Sequence, residues 1–318
     1  MRILIARTDS IGDVMLTLPM AYYLKKLFPS SCVFFLGKSY TKDIIERCLW
    51  VDEFLNADNA YLLEDQVRWL QQLKLDLVIF ALPEPRWMKA AHCAGVPKRI
   101  ATGHRFSSWR WANQRPMFGR KNSPLHEAQL NLKLLTGLGF HSIPSIVELN
   151  TLPLLRFNTT HSKKRIIIHP FSQGSALNWT LDQYDELVGL LHHQEYEIVI
   201  SGTKKDQEVL SMYQGSHLQH IESVCGKFSL SELIDFIAES TALIACSTGP
   251  LHLAAQAGIH AVGLYVNRIP IHPGRWQPLG RKVHILAEED SGQEKITTSP
   301  ASVATFLRSI MEHPTTKR

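Results

Sequence analysis

The sequence predicts an α/β protein made of two doubly wound, Rossmann-like domains. Three observations lead there. Short apolar strands alternate with helical runs through the first half of the chain. The alternation breaks over residues 141–163, which carry Pro144, Pro153 and the polar run Asn158-Thr159-Thr160, and then restarts. The length of 318 residues suits two domains better than one small core. The expected domains are 1–150 and 151–318, with the last helix free to pack back on the first domain.

Taken in order, residues 2–6 read as a buried strand and 12–28 as a helix stopped by Pro29. Cys32 to Leu36 is a strand, 39–48 a short helix and 51–54 a short extended piece. A helix over 60–73 leads into a strand from Leu75 to Ala81. Lys98 to Thr102 is another strand, and His126 to Leu138 an amphipathic helix ended by Gly139. After the break come strands at 165–169, 197–201, 222–224, 242–246 and 261–265. Helices at 181–192, 205–213, 229–239, 250–257 and 300–312 separate or follow them. Ligands in such sheets sit at the carboxyl ends of strands.

Composition excludes several classes. No apolar run is long enough to span a bilayer. Met1-Arg2 leads directly into a strand without the apolar run and cleavage site of a signal peptide, so the expected location is the cytoplasm. Five scattered cysteines with no C-x-x-C pair argue for buried free thiols rather than disulfides or structural zinc. Residues 1–150 hold 19 Lys/Arg against 13 Asp/Glu, and the remainder 15 against 16, so the positive excess lies in the first half and suggests an anionic partner there.

Five segments carry potential chemistry. Arg7 to Val14 joins the first strand to the first helix, with Ser10, Gly12 and Asp13 at the turn. Gly12 permits a close backbone approach to a ligand, and Asp13 either caps the helix or acts on substrate. No G-x-G-x-x-G supports a dinucleotide site. His169 to Trp179, with Ser172, Asn178 and Trp179, is either a βα loop that offers amides to phosphate or an ordinary connection. Gly202 follows the next strand. Cys246 to Ala255 ends a strand in Ser247-Thr248-Gly249 and opens a helix at Pro250, so these residues cap the helix or grip a diphosphate, with His252 one turn in. Pro270 to Gly280 holds Arg275 and Trp276 and either orders over a ligand or forms a stiff connection. Finally, Arg86 to Lys121 holds nine Lys/Arg, including Arg105, Arg110 and Arg120, with no Asp or Glu and with aromatic residues interleaved. An anionic membrane or phosphorylated lipid fits this run better than nucleic acid, since no RNA-binding or helix-turn-helix motif accompanies it; a solvated basic face is the simpler alternative.

In this order the segments resemble the bacterial heptosyltransferases, glycosyltransferase family 9. The resemblance rests on Arg7-x-Asp9-x-x-Gly12-Asp13-Val14, on His126-Glu127-x-x-x-Asn131-Leu132, on His169-Pro170 with Asn178-Trp179, and on Ser247 to Ala255. It covers nearly the whole chain. It implies a GT-B fold with an interdomain cleft, the acceptor on the N-terminal domain and the nucleotide sugar on the C-terminal one. It implies an inverting, metal-independent transfer from ADP-heptose to the Kdo-lipid A inner core, at the inner face of the cytoplasmic membrane, with no cofactor. Asp13 would be the general base. Ser172, Asn178, Trp179, Gly202, Ser247, Thr248, Gly249, His252 and Arg275 would meet the donor. Arg7, Ser10, Gly12, Arg86, Arg105, Arg110 and Arg120 would meet the acceptor. Two positions depart from the family pattern: Leu177 stands where a Lys is common, and Ser247 where an Asp is common. Arg275 or Lys204 is the candidate to replace the missing cation. Both departures bear on the donor sugar, so a non-heptose donor or a catalytically idle nucleotide-sugar-binding protein are the alternatives.

Overall fold

The computed structural model describes residues 1–312 except 121, 160–161, 173, 175 and 192–195. The chain divides into two compact units, Met1–Arg156 and Phe157–Arg318. The division falls within the expected linker, six residues beyond the expected boundary. Residues 151–156 stay with the first unit because Leu49 N–H donates to the Leu154 carbonyl and Arg156 N–H to that of Arg47.

The first unit is a five-stranded parallel sheet of β1 (Arg2–Ala6), β2 (Cys32–Gly37), β3 (Glu53–Asn56), β4 (Leu77–Phe80) and β5 (Lys98–Ala101) in the order β3-β2-β1-β4-β5. β1 is buried from Ile3 to Ala6, as a central strand covered on both faces must be. The helix expected over 12–28 is two, Ile11–Met15 and Leu18–Leu27. Pro19 has no N–H to continue the first ladder. The Met20 N–H turns to the Thr17 carbonyl, and the Leu16 carbonyl accepts from Asn131 Nδ2 at 3.0 Å, which ties the helix Glu127–Leu132 to the break. Three helices were not foreseen: Pro85–Cys93 and Phe106–Trp111, where basic and aromatic residues mask the helical period, and the single turn Ile146–Leu149 within the expected linker.

The second unit is a six-stranded parallel sheet of β6 (Arg165–His169), β7 (Glu197–Ile200), β8 (Glu222–Ser223), β9 (Ala242–Cys246), β10 (His260–Val266) and β11 (Val283–Glu288), ordered β11-β10-β9-β6-β7-β8. β11 was not expected. It is an edge strand whose residues are half-buried, so it lacks the dense apolar signal of β6 or β9. The helix Pro300–Glu312 packs along Leu181–Leu191 within this unit, placing Val303, Ala304 and Leu307 in its core.

In each sheet the strand order reverses once. The reversal lies between β1 and β4 in the first unit and between β6 and β9 in the second. Loops leaving the carboxyl ends of these strands diverge and leave a crevice there. They are Arg7 to Ser10 and Ala81 to Glu84 in the first unit, and Pro170 to Thr180 and Ser247-Thr248 in the second.

Candidate functional site

In the first unit, β1 delivers Arg7 into a buried cluster of charges. Its Nε donates to Asp9 Oδ1 at 2.6 Å, its Nη2 pairs with Asp13 Oδ1, and its Nη1 lies 3.6 Å from Glu127 Oε1. Arg120 pairs with the same Glu127 oxygen and donates to Asn131 Oδ1 at 3.0 Å. Both guanidiniums also reach the Ala81 carbonyl at the end of β4, at 3.4 and 3.5 Å. Glu127 is only 2% exposed, so this is a solvent-poor network rather than a surface ion pair.

Asp13 sits in the first turn of its helix but does not cap it. The cap is Ser10, whose hydroxyl accepts from the Asp13 N–H at 3.4 Å and donates to Asp13 Oδ2 at 2.6 Å. The Asp13 carboxylate is thus held at both oxygens, by Arg7 and Ser10, with 18% of the side chain exposed. Burial by itself would lower the Arg7 pKa, but Asp13, Asp9 and Glu127 outweigh it and raise it. Asp9 is raised by burial, with Asp13 adding to the rise against the pull of Arg7. Tyr40 donates to the Asp9 carbonyl, and its hydroxyl pKa is raised by burial and then by Asp9 and Asp13.

The other cations expected on the acceptor lie apart from this cluster. Arg86 donates to the Tyr61 carbonyl, Arg105 precedes the helix Phe106–Trp111, and Arg110 lies over the Trp111 ring at 4.8 Å. Lys121 falls outside the described residues. The aromatic residues of this basic stretch divide: Trp87 and Phe118 are buried, whereas Phe106 and Trp109 face water.

In the second unit, Ser247 and Thr248 follow the end of β9, and the helix Gly249–Ala257 starts directly after them with Pro in its first turn. Thr248 takes the cap position, yet its side chain makes no capping bond. Its Oγ1 is buried with no hydrogen-bond partner among the described residues. The buried Tyr265 hydroxyl, near Ser247, donates to the Trp276 carbonyl at 3.1 Å. His252 is buried on the same helix.

The loop after β6 starts beside His169, whose Nδ1 lies 3.0 Å from Ser201 Oγ. Full burial lowers the His169 pKa to about 4, although Asp206 opposes the shift. Asn178 Nδ2 donates to Ser172 Oγ at 2.9 Å, while Asn178 Oδ1 and Trp179 Nε1 are buried without partners among the described residues. Trp179 lies in the core with its ring edge-on to Tyr184. Gln173 and Ser175 of this loop lie outside the described residues. Gly202 is required by space, since a Cβ there would meet Asp206, Cys225 and Phe171 at 2.9 to 3.0 Å. The segment Pro270 to Gly280 includes a turn of helix, Pro273–Trp276, with Arg275 buried and its guanidinium 4.9 Å from the Trp276 ring. Lys204 is exposed at the start of Lys204–Met212.

The structure therefore brings Arg7, Ser10, Gly12, Asp13 and Arg120 together in one unit, and Ser247, Thr248, Gly249 and His252 in the other. Sequence reasoning left Glu127 and Asp9 without a role, although both stand in the motifs it quoted. A buried Glu on an apolar helix face, and an Asp two residues from a buried Arg, are the signals that point to them. Not all the thiols are buried either: Cys93, at the end of its helix, is exposed.

Comparison with known proteins gives a family and a fold. The model of glycosyltransferase family 9 (heptosyltransferase) matches residues 85–302. A Haemophilus influenzae protein named only provisionally as a glycosyltransferase is 28% identical over 98% of both chains. Lipooligosaccharide heptosyltransferase 2 of Haemophilus ducreyi is 21% identical over 95% of this chain and 92% of its own. Among solved structures, E. coli ADP-heptose lipopolysaccharide heptosyltransferase II superposes with a TM-score of 0.79 at 18% identity, covering 98% of this chain and 99% of that one, a likeness of fold.

Proposed function

Because the chain belongs to glycosyltransferase family 9, we propose that it is an inverting, metal-independent transferase of lipopolysaccharide core assembly. It moves a heptose or a related sugar from an ADP-sugar to an anionic inner-core acceptor. The observation that carries the donor half is Thr248. A buried hydroxyl without a partner, at the start of a nine-residue helix and at the reversal point of a parallel sheet, suits a diphosphate oxygen. The free amides of that helix start and its dipole favour the same negative charge.

In this reading Asp13 takes the proton from an acceptor hydroxyl. The oxygen attacks the anomeric carbon on the face opposite the leaving group. The C–O bond to the diphosphate breaks, and the ADP departs against Thr248 and the helix start. General-base help contributes about 10²–10⁴ in rate, and support of the departing charge adds to it. Arg7 pairs directly with Asp13 and so holds the base in place, while Asp9, Glu127 and, through Glu127, Arg120 position Arg7. Arg86, Arg105 and Arg110 would meet the acceptor phosphates from the cytoplasmic face of the membrane.

A screen of ADP-heptose against other nucleotide sugars, read by product mass, tests the reading. Transfer from none of them onto an inner-core acceptor would sink it. The alternative, an idle nucleotide-sugar-binding protein, draws on Leu177. That side chain packs against the second unit's core where a phosphate-binding cation is common in the family. Tight ADP-sugar binding without transfer or slow donor hydrolysis would favour this alternative.

A further inference from the structure

We propose that the rim of the first unit beyond β5 docks on an anionic lipid bilayer, inserting Phe106, Trp109 and Met117 at the boundary between headgroups and acyl chains. This rests on the reading of the acceptor as a membrane-borne amphiphile. The argument starts from where large apolar side chains face water. Tyr40, Tyr61 and Leu62 are exposed in segments that follow the carboxyl ends of β2 and β3. Phe106, Trp109 and Met117 are exposed beyond the end of β5. In a parallel sheet these ends form a single rim, and it is the rim that carries Arg7 and Asp13.

The last three residues form one patch. Phe106 and Trp109 lie three residues apart on Phe106–Trp111, hence on one face, and are 81% and 58% exposed while Ser108 between them is buried. Residues 114–117 run beside β5 and past its end, with Ala101 N–H donating to the Gln114 carbonyl and Gly103 N–H to that of Pro116, each at 3.2 Å. Met117, 63% exposed, therefore comes to lie against Gly103. Trp109 is anchored to the same residue, its Nε1 donating to the Gly103 carbonyl at 2.7 Å. Arg105, Arg110 and Arg115 flank the patch, in a stretch from residue 86 to 121 that holds nine cations and no carboxylate.

This composition matches an interfacial anchor, where apolar tips enter the headgroup layer and cations meet anionic lipids. Each cation near such a surface contributes roughly fivefold in affinity. A nucleic acid would want open aromatic faces for stacking. Here Arg115 covers one face of Trp109 at 4.7 Å and Arg110 one face of Trp111 at 4.8 Å, and the patch adds Phe106 and Met117, which a phosphodiester surface does not reward.

The test is co-sedimentation of the full chain with phosphatidylethanolamine–phosphatidylglycerol vesicles against phosphatidylcholine vesicles, with competition by single-stranded RNA. The expected result is binding to the anionic vesicles only, weakened by salt. Phe106→Ser, at a position facing water, should weaken it about tenfold, and the Phe106→Ser/Trp109→Ser pair should abolish it, with ADP affinity unchanged. Equal binding to both vesicle types, an unchanged Phe106→Ser variant, or displacement by RNA would overturn the proposal. A chain that transfers sugar but ignores vesicles refutes the docking surface alone. One that binds vesicles without transfer refutes only the functional reading.

Discussion

Asp13→Asn separates the chemistry of the first unit from its stability. The cluster holds three carboxylates, Asp9, Asp13 and Glu127, and two guanidiniums, Arg7 and Arg120, a formal excess of one negative charge. Asparagine removes that excess and still offers an oxygen to Arg7. Arg7 also keeps Asp9 at 2.6 Å and Glu127 at 3.6 Å. The pair that is lost is partly open to water, which weakens it further. The expected stability change is therefore within about 1 kcal/mol, a shift of a few degrees in Tm. Activity should respond far more, falling by about 10²–10⁴, or about 3–5 kcal/mol of barrier. A second consequence concerns Asp9. Its pKa is raised in the folded state, so wild type holds stability below the usual carboxylate range and loses it as pH rises through the folded value. Removing the Asp13 charge should narrow that window. The assay pairs sugar transfer, followed by product mass, with thermal unfolding by circular dichroism. Near-normal turnover would remove Asp13 from the base role. Loss of activity together with loss of the fold would show that the cluster needs this carboxylate for structure.

Three further outcomes follow from the same geometry. Thr248→Val should leave the fold as stable or slightly more so, because it removes an unpartnered buried hydroxyl, yet weaken ADP binding about tenfold to a hundredfold; unchanged affinity by calorimetry would assign Thr248 to packing alone. Glu127→Ala should destabilise the first unit by about 3–5 kcal/mol, since it leaves two guanidiniums short of a shared buried partner, and a urea midpoint giving less than about 1 kcal/mol would contradict the buried network. His169 is neutral when folded with its pKa lowered to about 4, so the unfolded chain binds that proton first and stability should fall as pH drops from about 6.5 to 4, by at most about 3 kcal/mol. His169→Asn should lack this component, and equal pH slopes in the two proteins would show that His169 is not buried neutral.

The central strands of both sheets were legible in the sequence because buried parallel strands need unbroken apolar runs. Arg165 to His169 and Ala242 to Cys246 were placed to the residue for that reason. The turn at Gly12-Asp13 and the run Ser247-Thr248-Gly249-Pro250 were also legible, because backbone constraints of Gly and Pro act locally. What stayed hidden was whatever depends on partners distant in sequence. Glu127 joins Arg7 only because the helix Glu127–Leu132 folds back on the break at Leu16 through Asn131. The helix at 85–93 and the edge strand at 283–288 carry mixed composition, since each exposes one face. Local sequence determined the elements, their order and the loops able to hold chemistry. Only the tertiary structure decided which charges share a solvent-poor site, which hydroxyl is left without a partner and which aromatic residues meet water, because burial and long-range electrostatics are properties of packing rather than of neighbouring residues.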